Sequence, residues 1–196
     1  MIVAGVSIKG LDYSERSTPT DRDLVQSCLQ GDRQSFRVLY QRHHLPVRST
    51  LYQLCGASCL DDLVQDVFLR AWKGLKGFRQ GSQFSTWLYR IAWNVASDQR
   101  RKFGQERSQR DRLTPLAMEG TVNSDLTQVH YQDMVQRGLI QLSEEQRSVL
   151  VLHDLQDLPQ KEIAMILEIP IGTVKSRLFH ARSTLRQFFL QEGVQL

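Results

Sequence analysis

KEIAMILEIPIGTVKSRL, residues 161–178, carries two apolar stripes at helical spacing on either side of the break Glu168-Ile169-Pro170. Two helices that cross at close range need a small residue where they touch, and Ala164 supplies it. Ile163, Leu167, Ile169, Val174 and Leu178 supply apolar contacts on both sides of the crossing. Pro170 suits the first turn of the second helix, where a missing N–H costs nothing. The layout is that of a helix-turn-helix. The second helix offers Lys175, Ser176, Phe179, His180 and Arg182 outward with Arg177 nearby, and no acidic residue falls between Ile171 and Arg186. Cations and hydroxyls for phosphates and base edges, with an apolar group for a thymine methyl, are what a helix in a major groove needs. The turn position often held by glycine carries Glu168, which must then adopt a left-handed backbone at a cost of about 1 kcal/mol.

Outward from this motif the chain reads as helices, and no strand pattern of any length is present. Ser143-Glu144-Glu145-Gln146 is a capping box ahead of Val149, Leu150, Leu152 and Leu155, and Val135, Leu139 and Leu142 mark a helix before it. Two short helices, roughly 160–167 and 170–190, follow the turn Asp157-Leu158-Pro159. Upstream, Leu63, Val64, Val67, Phe68, Ala71, Trp72 and Leu75 form one stripe of an amphipathic helix whose other face holds Asp62, Gln65, Asp66, Arg70 and Lys73. Residues 77–81 read as a loop. A further helix starts near Ser82 or Ser85, with Phe84, Trp87, Leu88, Ile91, Ala92 and Val95 on its core side and Arg100, Arg101 and Lys102 at its end. Thr20, with Asp21 and Asp23, opens the first helix, and Gly31-Asp32 breaks it from a second that bends at Pro46.

These segments predict an all-α chain of two small helical domains joined by a flexible linker: a tail over 1–20, a first domain over 21–103, a linker over 104–125 and a second domain over 126–192. The length of 196 residues suits two such domains, and 41% hydrophobic with 23% charged residues predicts packed cores. A net charge of +4 is compatible with a polyanionic partner. Three cysteines form no disulfide framework and suit a reducing compartment. No run of about 18 apolar residues predicts a membrane span, and a cytoplasmic protein is expected. His43, His44, Cys55 and Cys59 do not have the spacing of a zinc finger, so no metal, cofactor or catalytic constellation is expected.

Three segments, in order, resemble the extracytoplasmic-function (ECF) group of sigma factors, subunits that direct RNA polymerase to promoters. DDLVQDVFLRAW at 61–72 is similar to the family's region 2.2, FSTWLYRIAWN at 84–94 to its regions 2.3 and 2.4, and residues 163–182 to its region 4.2. The resemblance implies a non-enzymatic transcription initiation factor with particular residues in particular roles. Asp62, Gln65 and Asp66 would dock on core RNA polymerase. Phe78, Arg79, Gln80 and Gln83, with Asn94, would meet the melted −10 element, and an unpaired base there needs stacking surface and polar backbone groups. Tyr89 and Trp93, one turn apart, either stack on unpaired DNA or pack against the first helices. Arg100, Arg101 and Lys102 either clamp phosphates or offset the helix dipole. Lys175, Ser176, Phe179 and His180 would read a GGAAC-like −35 element, with Arg177 and Arg182 gripping phosphate. An anti-sigma factor is an implied partner beside core polymerase and promoter DNA. The alternative is a helix-turn-helix regulator that binds an operator without polymerase, its first domain sensing a signal or dimerising.

Overall fold

The computed structural model describes residues 18–78, 81–110 and 126–194, and side chains within these except 104–110 and 126–132. Among the described residues every element is helical: α1 (Asp21–Leu29), α2 (Arg33–Cys55), α3 (Leu60–Gly74), α4 (Phe84–Arg110), α5 (Leu126–Ile140), α6 (Glu144–Leu150), α7 (Gln160–Leu167) and α8 (Ile171–Gln191), with a 3-10 turn over Leu75–Gly77 and a π-helical turn over Val151–Leu155.

The caps fall where the polar residues put them. Thr20 and Asp23 form a reciprocal capping box on α1, Asp32 accepts from the Gln34 N–H at the start of α2, and Ser143 and Gln146 box α6. Each satisfies N–H groups that have no partner within the helix. Gly31, at φ +103°, provides the backbone conformation that separates α1 from α2. α2 continues through Pro46, so the expected bend does not interrupt it, and the Thr50 hydroxyl donates to the Pro46 carbonyl at 2.9 Å. α4 runs to Arg110, beyond the expected end at Lys102, because the residues after Gly104 are mostly good helix formers and one glycine costs only about 1 kcal/mol. The first seven residues of the expected linker are therefore helical. The rest of that linker, and nearly all of the expected tail, lie outside the described residues.

α1 to α4 pack on one another around Val25, Leu39, Leu51, Val67, Leu88 and Ala92. α5 to α8 pack around Leu139, Val149, Leu152, Ile163, Val174 and Leu178. Burying each of the larger aliphatic side chains contributes about 2 kcal/mol relative to leaving it in water. The two units also touch: α4 lies against α7, and α2 against the π-helical turn.

Candidate nucleic-acid interface

In the second domain the helix-turn-helix is built as the spacing predicts. Ile163 and Val174 are fully buried, with Ile166 and Leu178 beside them, and Ala164 and Leu167 pack against this core. The turn is made by Glu168 at φ 54°, ψ 41°, the left-handed conformation expected from its place in the motif. The Ile169 N–H donates to the Ala164 carbonyl at 3.1 Å and closes α7. Beyond it α8 presents Lys175, Ser176, Phe179 and His180 to solvent, and Arg177 is half-buried. Phe179 is 70% exposed, unusual for so large an apolar group, and its ring meets His180 edge-on at 5.5 Å. Arg182 is not free: Nη2 and Nε bond both carboxylate oxygens of Asp154, at 2.5 and 3.0 Å. That hydrogen-bonded guanidinium is the main cause holding the Asp154 carboxyl below its ordinary range.

In the first domain Asp62 and Gln65 are exposed on α3. Asp66 is half-buried and bonds Arg70 at 2.8 Å, and Arg70 reaches Asp98 of α4 at 3.1 Å. Gln65 borders an apolar cleft of about 480 Å³ between α2 and α3, walled by Phe36, Tyr40, Phe68, Leu69 and Trp72. Trp72, placed on the core stripe by its spacing, lies at the edge of the core and is 39% exposed, its ring 4.9 Å from Phe36. Periodicity finds the stripe but not its margin, so the cleft is invisible in the sequence.

The surface at the start of α4 differs from expectation in two side chains. Phe78 is buried in a cluster with Phe84 and Trp87, at ring separations of 6.0 and 5.1 Å, and supports the loop instead of offering a stacking face. Tyr89 is only 7% exposed, its hydroxyl donating to Gln156 of the second domain at 2.9 Å, and burial pushes its pKa up to about 12. Tyr89 is thus covered by Gln156 of the second domain, a partner that neither reading of its spacing named. Gln83 and Asn94 are exposed. Trp93 is half-buried beneath the Arg100 guanidinium, 4.7 Å from the ring centre. Arg100 pairs with Glu144 at 2.6 Å, Arg101 with Asp98 at 3.1 Å, and Lys102 is exposed. Arg79 and Gln80 lie outside the described residues. Among the described residues no three His, Cys, Asp or Glu side chains converge as metal ligands, and His43 instead bonds Asp21 at 2.7 Å. No helix among them is long and apolar enough to cross a membrane.

The family model for Sigma-70 region 2 matches residues 39–106, and that for Sigma-70, region 4 matches residues 132–185. The ECF RNA polymerase sigma-E factor of Haemophilus influenzae is 31% identical over 176 residues, covering 85% of this chain and 93% of the relative. The protein of the same name from Escherichia coli is 31% identical, with coverage of 85% and 92%. Among solved structures, CnrH in complex with the cytosolic domain of CnrY superposes with a TM-score of 0.67 at 25% identity, covering 89% of this chain and 99% of that one. The sigma factor RpoE in complex with the anti-sigma factor NepR from Bartonella quintana gives 0.66 at 28% identity, with coverage of 79% and 96%. On the two matched regions and these full-length relatives, the chain belongs to the sigma-70 family, in its ECF group.

Proposed function

We propose that this chain joins core RNA polymerase and selects promoters, reading a −35 element with α8 and a −10 element with the start of α4. The observation that carries the reading is α8: an acid-free run from Ile171 to Arg186 with Lys175, Ser176, Phe179 and His180 all in solvent, on a helix-turn-helix in a sigma-70 family chain. Lys175 and His180 suit phosphates and base acceptors, and Phe179 suits a thymine methyl. Gln83, Asn94, Trp93 and the basic end of α4, Arg100 to Lys102, are the groups for single-stranded −10 DNA; Arg79 and Gln80 join them on the strength of the resemblance alone. Phe78 and Tyr89 act beneath that surface.

Gln65 borders the apolar cleft at Trp72, and Asp62 and Asp66 stand on the same helix; polar groups beside an apolar cleft have the mixed character of a protein interface, and core polymerase is its partner. An anti-sigma factor is a second partner, supported by the RpoE–NepR complex among the neighbours. A cytoplasmic location follows from the polymerase it serves. The family does not favour the operator-binding regulator.

Run-off transcription with core polymerase on a pool of promoter fragments tests the proposal. Discrete starts that require this protein are expected. Absence of starts, with tight duplex binding by the protein alone, would return the reading to a regulator.

A further inference from the structure

The seam between the two domains holds a cavity of about 480 Å³, within the size range of small-molecule sites. Its walls include Leu54 and Cys55 at the end of α2, Arg100 of α4, Leu139 and Ile140 of α5, and Arg147 of α6. Along the same seam Arg90 pairs with Glu168, and the Gln136 amide donates to the Gln53 side-chain oxygen. The cavity wall is thus largely aliphatic, with two guanidiniums set in it.

The two cations are unequally served. Arg147 Nε donates to the Leu139 carbonyl at 2.8 Å and Nη2 to the Leu142 carbonyl at 3.3 Å, which closes the end of α5. Arg100 Nη2 donates to Glu144 at 2.6 Å and to Ser97 at 3.1 Å. Its Nε is buried and has no hydrogen-bond partner among the described residues. Buried donors without a partner are rare in folded proteins. Glu144 sets one negative charge against two positive ones. Burial lowers the Arg147 pKa and the like charge of Arg100 adds to the effect, while Glu144 opposes it. Cys55 supplies no anion, because burial raises its thiol pKa despite Arg100 nearby.

We propose that this cavity binds a small organic carboxylate, its anion accepting from Arg100 Nε and its hydrocarbon body lying against Leu54, Leu139 and Ile140. A guanidinium N–H to a carboxylate is among the stronger hydrogen bonds a protein makes. Arg147 supplies the second positive charge, which offsets the repulsion from Glu144. The aliphatic walls select an acid with an apolar body over a bare inorganic anion, since that body leaves water on binding. Arg100 also belongs to the group assigned to −10 DNA, so binding measured without DNA keeps its two roles apart.

Calorimetric titration of the full chain with hexanoate tests this, beside hexan-1-ol, which lacks the charge, and inorganic phosphate, which lacks the hydrocarbon. Hexanoate is expected to bind one to one with a Kd of about 1 mM, in keeping with its few heavy atoms. The alcohol and phosphate should each bind about tenfold more weakly or worse. Methyl NMR should place the hexanoate-induced shifts at Leu54, Leu139 and Ile140. Ile140 is 61% exposed, so Ile140→Glu leaves the fold intact and sets a like charge beside the ligand. Arg100→Met keeps an apolar stem and removes the charge. Each variant should weaken hexanoate about tenfold. Hexan-1-ol binding as well as hexanoate would leave only an apolar cleft, and phosphate binding as well would leave only a patch of charge; either result overturns the proposal. So would methyl shifts elsewhere in the chain, full affinity in both variants, or no binding of hexanoate.

Discussion

Arg182 of α8 and Asp154 of the π-helical turn form a two-point pair, Nη2 to Oδ1 at 2.5 Å and Nε to Oδ2 at 3.0 Å. His153 Nδ1 adds a contact to the same carboxylate at 2.6 Å. The recognition helix has no acid of its own, yet one of its arginines is held by an acid from outside it. Arg182 thereby ties α8 to the segment that follows α6, and the phosphate contact expected of it would compete with that tie.

Asp154→Asn should cost the second domain about 1 kcal/mol or less, because the pair is partly exposed and solvent screens it. The carboxyl is held below its ordinary range by Arg182, so its contribution is present above the unfolded aspartate value of about 4 and is lost as pH falls through the lowered folded value. Urea unfolding of wild type and variant between neutral and acidic pH checks this. The difference in midpoint should vanish in acid; a difference that persists there would contradict the assignment.

Lys175→Ala and Phe179→Ala should each reduce initiation at −35-dependent promoters about tenfold, the low end of what one base contact provides. Both side chains are in solvent, so stability should change by no more than about 0.5 kcal/mol. Polymerase affinity should be untouched. Promoter competition assays check the pair, and unchanged −35 selectivity in both would remove α8 from the reading role.

On α3, Asp66→Arg should weaken polymerase binding while leaving free-protein DNA binding intact. The substitution also sets two cations one turn apart, since Arg70 now bonds Asp66, at a cost of about 0.5 kcal/mol. Gln65→Arg lacks that structural cost and should weaken polymerase binding by a similar factor if the rim of the Trp72 cleft is the interface. Affinity measured with purified core enzyme decides it: full retention in both variants would take this face out of the site.

The sequence carries the helices, the caps and the helix-turn-helix because each is a local matter. Thr20, Asp32 and Ser143 cap within three residues of themselves, and Ile163 with Leu167 and Val174 with Leu178 repeat at helical spacing within their own helices. Outward placement of Lys175, Ser176, Phe179 and His180 follows from the same period. What is not legible depends on partners distant in the chain. Tyr89 lies off the core stripe of α4, as its spacing says, and is buried all the same because Gln156 and its neighbours lie over it. Phe78 belongs to an aromatic cluster completed by Trp87. Trp72 keeps its period and still ends at a margin, since only the number of helices packed around α3 decides how much of the stripe is covered. Arg182 shares the acid-free helix with Lys175, and nothing in the helix itself reports Asp154.

Glu168 separates strain from charge. Glu168→Ala keeps a side chain at φ 54° and loses the pair with Arg90, so stability should fall by a few tenths of a kcal/mol, the worth of an exposed ion pair. Glu168→Gly loses the same pair but relieves the left-handed backbone, a gain of about 1 kcal/mol less what glycine's added freedom in the unfolded chain takes back. Glycine should therefore be more stable than alanine at this position, and close to wild type. Urea unfolding of the three full-length proteins measures the order. Alanine matching glycine would show that the turn carries no strain, and that the cost assigned to Glu168 from its place in the motif is not real.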